Sequence, residues 1–105
     1  MRNTGTLTNS YYAQLLEDYL EVCRQDGNKE WTLQFKRSTC VEFFCEITEF
    51  GKDLSSIDAE TIGKICVTKV NRNKWHIYRM LLHFLFEKGE ISRDLSIIVP
   101  TYRER

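Results

Sequence analysis

WHIYRMLLHFLFEKGEISRDLSIIVP, residues 75–100, decides the fold of this chain. Trp75, Tyr78, Leu81, Leu82 and Leu85 recur at three- and four-residue steps, the spacing of one face of an α-helix. Gly89 comes just after this stripe and predicts the stop, because glycine readily takes the left-handed conformation that ends a helix. Ser92 predicts a cap for a final turn holding Leu95 and Ile98, and Pro100 is the exit. The segment therefore predicts a helix over 72–88, a short polar turn, and a last turn of helix.

Working outward, the same period recurs. Tyr12, Leu15, Leu16, Tyr19, Leu20 and Cys23 predict a first helix over 7–24, capped by Thr8 or Asn9 and ended at Gly27-Asn28. Cys40, Phe43, Phe44, Ile47 and Phe50 form the stripe of a second helix over 29–50, with Asn28 as its predicted cap and Gly51 as its stop. Glu42, Glu46 and Glu49 lie on another face, predicted to be solvated. Asp58 predicts the cap of a short third helix whose inner face is Ile62, Ile65 and Cys66, and Lys69-Val70-Asn71 predicts a turn. Phe43, Phe44, Phe84 and Phe86 are predicted core rather than a cofactor box. No segment alternates with period two and no repeat is visible. The expectation is all-α: a small four-helix bundle, orthogonal or irregular, with no sheet.

Composition sets bounds on this reading. The 105 residues suit one domain, and the 42% apolar content suits a folded core. Such a chain buries roughly two-thirds of its unfolded surface, enough for one core without staples. No run reaches the ~18 apolar residues of a spanning helix, and no basic-then-apolar leader opens the chain, so a cytoplasmic location with no membrane partner is expected. Cys23, Cys40 and Cys66 fall at apolar helical positions and predict buried, reduced thiols, whereas a disulfide framework is the alternative that export would favour. Cys40 and Cys45 stand five apart, His76 and His83 seven apart, and there is no CxxC, so no metal site is expected. No cofactor is expected either.

Net charge is zero, yet its distribution is polarised. Residues 1–63 carry 6 basic and 11 acidic side chains, and residues 64–105 carry 9 basic and 4 acidic. Between Lys64 and Arg79 lie Lys64, Lys69, Arg72, Lys74 and Arg79 with no acid among them. A chain of this kind can present a local positive face to nucleic acid, although a salt-bridged surface is the alternative. No catalytic set is evident: there is no G-x-S-x-G, no H-E-x-x-H and no phosphate loop. The candidate surface is on the fourth helix, where Arg72, His76, Arg79 and His83 fall on one side, with Arg72 and Arg79 predicted to face solvent and Lys69, Asn73 and Lys74 beside the start of the row. Arginine and lysine there would meet base edges and phosphates in a major groove. The second helix also opens with basic and hydroxylic residues, Thr32, Lys36, Arg37 and Thr39, which complete the expected DNA-binding set.

From Leu82 onward, Leu82, Phe84, Leu85, Phe86, Gly89, Ile91, Arg93, Asp94, Leu95, Ser96, Val99 and Pro100 resemble the run "LxxFLxFLxxxGxIxxDLSxxVP" that closes the core-binding domain of tyrosine recombinases, the phage-integrase family. The resemblance extends over about residues 7–103. LTNSYYAQLLEDYLEVCRQDG is similar to the family's opening helix, and Thr32, Phe43 and Ile57-Asp58 hold family positions in the next segment. Lys36 departs from a common tyrosine and Cys40 from a common leucine, and the link from Cys66 to Asn73 is short. The resemblance implies a SAM-like bundle of the integrase core-binding type. It implies a core-binding domain over residues 1–100 and, at 101–105, the start of a linker to a catalytic domain absent from this chain. The fragment would not itself be an enzyme. It would grip one face of a recombination half-site during integration or excision, with other recombinase protomers in a synaptic complex. The parent would form a 3′-phosphotyrosyl intermediate, and none of Tyr11, Tyr12, Tyr19, Tyr78 and Tyr102 would be its nucleophile. A helical protein–protein interaction module is the alternative, which exposed aromatic residues would favour.

Overall fold

The computed structural model describes residues 10–68 and 72–99. It is all-helical, with no strand among the described residues. Four helices, α1 (Ser10–Gln25), α2 (Glu30–Glu49), α3 (Ala59–Thr68) and α4 (Arg72–Glu87), are followed by a 3-10 turn at Leu95–Ile98. The boundaries lie within two residues of those the apolar period predicts, apart from the start of α1, whose predicted first turn and cap at Thr8 or Asn9 lie outside the described residues. The turn predicted at residues 69–71 lies outside them too.

Glycine ends three of the helices in the same way. Gly27, Gly51 and Gly89 take φ of 93°, 75° and 82°. Each donates its N–H back to a carbonyl three residues earlier, and the next residue reaches one five earlier, as in Gly89 to Phe86 at 3.0 Å and Glu90 to Leu85 at 2.9 Å. These paired bonds satisfy carbonyls that the helix leaves open. At the other ends, Asp58 caps α3: its Oδ1 accepts from the Thr61 N–H at 2.9 Å and the Thr61 hydroxyl at 2.8 Å. Those bonds hold the Asp58 carboxyl below its ordinary pKa. Two predicted caps are corrected. The residue before α2 is Lys29, in extended conformation and making no side-chain cap bond, so Asn28 does not cap. The 3-10 turn is capped by Asp94 rather than Ser92, through the Ser96 N–H at 3.1 Å and the Ser96 hydroxyl.

The core is one cluster, built on α2, which touches α1, α3 and α4. All six apolar residues predicted for α1 are buried, as are Cys40, Phe43, Phe44 and Ile47 of α2. Aromatic contacts fix the helix faces: Tyr12 stacks on Phe44 at 4.7 Å, while Phe43 meets Tyr78 and Tyr19 meets Phe84, each at 5.4 Å. The 3-10 turn packs on α4 and α3, burying Leu95 and Val99. Trp75 is only half-buried, its indole N–H donating to the Cys66 carbonyl at 3.2 Å. Phe50 and Phe86, predicted core, are exposed at 39% and 38%. Each sits at or near a helix end, where the neighbouring helix no longer covers it. All four cysteines are free thiols, three buried and Cys45 partly so.

Candidate nucleic-acid interface

Ile77, Tyr78, Leu81, Leu82 and Leu85 turn α4 against the core. That orientation leaves Asn73 and His76 exposed and Lys74 and Arg79 half-covered on the outer side. Arg79 is therefore not fully turned to solvent as its spacing predicts. Its Nη1 lies 3.5 Å from His76 Nδ1. Partial burial, with the positive charges of Arg79 and Lys36 behind it, pushes the His76 pKa below its ordinary value. Lys74 is held by Glu42 of α2, its Nζ donating to the two carboxylate oxygens at 2.9 and 3.1 Å. The polar row ends at Arg79, because the next member, His83, faces Asp94 at 3.3 Å and Glu87 at 3.6 Å. Lys69 and the side chain of Arg72 lie outside the described residues.

The α2 half of the expected set is placed differently. Lys36 is 7% exposed and Thr39 1% exposed, so in this fold neither offers a side chain to a duplex. Their register explains this: Leu33, Lys36, Cys40, Phe43 and Ile47 follow one another at three- and four-residue steps, and Lys36 occupies a core position on that line. Arg37 is half-covered and makes a two-pronged bond to Glu17 of α1, with Nη2 to Oε1 at 3.3 Å, which raises its pKa. It points along the α1 side of α2 rather than toward α4. Thr32 is half-covered. The structure thus brings together Asn73, Lys74, His76 and Arg79, with Glu42 as a bound acid, while Lys36 is buried against Cys23 and Tyr19 of α1.

The outward face of α2 carries residues that charge alone does not reveal. Trp31 is 73% exposed and Phe35 41%, one turn apart, with Ser38 and then Glu42 further along the same line. Their register was available, since 31, 35, 38 and 42 fall between the core positions 33, 36, 40 and 43. Elsewhere, Phe50, Glu60, Gly63, Lys64 and Val67 line a shallow apolar cleft between the end of α2 and α3. No group of three or more histidine, cysteine or carboxylate side chains is arranged to hold a metal among the described residues. No helix among them is long and apolar enough to cross a membrane.

What these features define by themselves is a small all-α module with one mixed basic and amide surface on α4. No protein-family model matches the chain, and neither curated proteins nor solved structures give a match.

Proposed function

We propose that this chain is the DNA-binding, core-binding domain of a cytoplasmic site-specific recombinase of the tyrosine type, which grips one face of a recombination half-site. The observation that carries the reading is the 72–99 unit. It is a helix with Asn73, Lys74, His76 and Arg79 on the outside of its first half, closed by Gly89 and the Asp94-capped turn. Several of the residues that resemble the family's closing run have structural work in it: Gly89 at positive φ, Asp94 as cap, and Leu95, Ser96 and Val99 buried. In this reading α4 approaches the major groove by its first half, and catalysis belongs to another domain of the parent. Three of the tyrosines support that division. Tyr12, Tyr19 and Tyr78 are buried, and burial raises the pKa of each, the reverse of what an accessible nucleophile needs. Partners would be duplex DNA and, in the full-length protein, further recombinase protomers.

One observation favours a second reading, a helical protein–protein module: the exposed pair Trp31 and Phe35, since aromatic residues concentrate at protein interfaces. A single experiment separates the two. Labelled protein is titrated with a mixed-sequence duplex two helical turns long, at several salt concentrations, and amide shifts are followed. Shifts confined to the first half of α4, with affinity falling about 0.9 log units per log of salt for each phosphate contacted, support the DNA reading. Absence of binding at low salt, or shifts confined to α1 or to the Glu46 and Glu49 face, refutes it. Shifts around Trp31 and Phe35 with no salt dependence favour the second.

A further inference from the structure

One buried pair plays no part in the candidate interface. Lys36 of α2 is 7% exposed and Cys23 of α1 is 3% exposed, and Lys36 Nζ lies 3.4 Å from Cys23 Sγ. The lysine also lies over the Tyr19 ring, 5.8 Å from its centre, and has no carboxylate partner among the described residues. A lysine taken out of water is normally matched by an acid. Here the matching group is a thiol, brought from a different helix to within contact distance of the nitrogen.

We propose that Cys23 and Lys36 form an oxidative cross-linking site, in which hydrogen peroxide joins α1 to α2 through a sulfur–nitrogen bond. In the first step the peroxide O–O bond breaks. The Cys23 sulfur takes one oxygen and becomes a sulfenic acid, losing two electrons, while the peroxide is reduced and water leaves. In the second step the Lys36 ammonium gives up a proton to water, and the amine so formed attacks that sulfur. The S–N bond forms, the S–O bond breaks, and the departing oxygen leaves with a proton from nitrogen as a second water. One thiol, one amine and one peroxide thus give one sulfenamide and two waters. Sulfenic acids condense with a backbone nitrogen to a sulfenamide or with a thiol to a disulfide, and here the nitrogen at contact distance is that of Lys36. The rival thiol, Cys40, is fully buried and its pKa is pushed up by that burial, which keeps it protonated and slow to attack. Access comes from the helix end: Cys23 lies in the last turn of α1, where its carbonyl accepts the Asn28 N–H at 3.2 Å, and terminal turns open most readily. The proposal is independent of what the outer surface binds.

Reduced, folded protein is treated with hydrogen peroxide, quenched and mapped by peptide mass spectrometry, with oxidation of the 37%-exposed Met80 as the internal measure of dose. The expected product is a linked pair of peptides containing Cys23 and Lys36, with trypsin no longer cutting after Lys36. The link persists in Cys40→Ser, is absent from Lys36→Met and Cys23→Ser, is reversed by a thiol reductant, and raises the melting temperature. Lys36→Met keeps the test valid if Cys23→Ser does not fold, because it removes the nitrogen and leaves the sulfur. A Cys23–Cys40 disulfide, an oxygenated Cys23 with no link, or an unmodified Cys23 at a dose that oxidises Met80 overturns the proposal.

Discussion

Lys36→Met tests the packing account most directly. The substitution keeps an unbranched chain in a site that is 93% covered and removes the amino group. Two favourable contacts are lost. The cation over the Tyr19 ring at 5.8 Å contributes about 0.5–1 kcal/mol. The hydrogen bond to Cys23 Sγ contributes about 0.5–1 kcal/mol at most, sulfur being a weak acceptor. Against them stands the desolvation of a buried ammonium with no carboxylate beside it; even a buried ion pair, whose charges compensate each other, can be exchanged for apolar groups of similar volume with a change from about zero to a gain of about 1–4 kcal/mol. The net expectation is stabilisation by about 1 kcal/mol, a rise in melting temperature of roughly 4–8 °C for a domain of this size. Urea denaturation with the m-value monitored, together with thermal melts, measures it. Destabilisation by 1 kcal/mol or more at unchanged m-value would refute the reasoning, since it would mean the amino group is held by more than a ring and a thiol. The same variant separates core from surface: a phosphate-contacting lysine would take about 0.9 off the salt slope of DNA binding when lost, and a buried one leaves it unchanged.

Glu42→Gln releases Lys74 from its carboxylate and removes an acid beside α4, so duplex affinity should rise, by up to a few fold in a fluorescence anisotropy titration at low salt; weaker binding would contradict the placement of Lys74 at the interface. His76 has a depressed pKa, so between its ordinary value near 6.5 and the lower folded one the unfolded chain binds more protons. Stability should therefore fall as pH drops through that window, and His76→Gln should flatten the slope of the denaturation midpoint against pH. DNA binding should tighten over the same window, because phosphate favours the charged ring. Gly89→Ala meets no atom within 4 Å and so incurs only the left-handed backbone cost, about 1 kcal/mol by denaturant melts; a loss of more than about 3 kcal/mol would show that the Gly89 turn is packed more tightly than described.

Period and punctuation made the helices legible. The α1 stripe has no charged member and reads correctly at every position, and the three terminal glycines read correctly because positive φ has few other occupants. What failed was reading by residue type in place of register. Charge places Lys36 at the surface, although it stands three residues from Leu33 and four from Cys40 on the line that enters the core. The hydroxyl places Thr39 there too, and the rings place Phe50 and Phe86 in the core, against the burial each shows in the fold. Burial depends on whether another helix covers the position, and helix crossing points are not written in the period. The exposure of Trp31 and Phe35 is hidden for the same reason, while Glu42 and Lys74 pair across 32 residues and leave no local signal.

The partners of α1 have a consequence for how the chain is made. Tyr19 packs on Phe84, Asp18 pairs with Lys88 at 3.4 Å, and Tyr11 bonds Glu90. α1 leaves a ribosome well before these partners and therefore waits for residues 84–90. Until residues 84–90 emerge, it can lie against α2, through Tyr12 on Phe44 and Glu17 on Arg37, but one side of it stays uncovered. At about 5–20 residues per second that interval lasts several seconds. A nascent chain halted before α4 thus shows apolar surface on α1, a form that holdase chaperones bind, and that surface is covered only when residues 84–90 reach it.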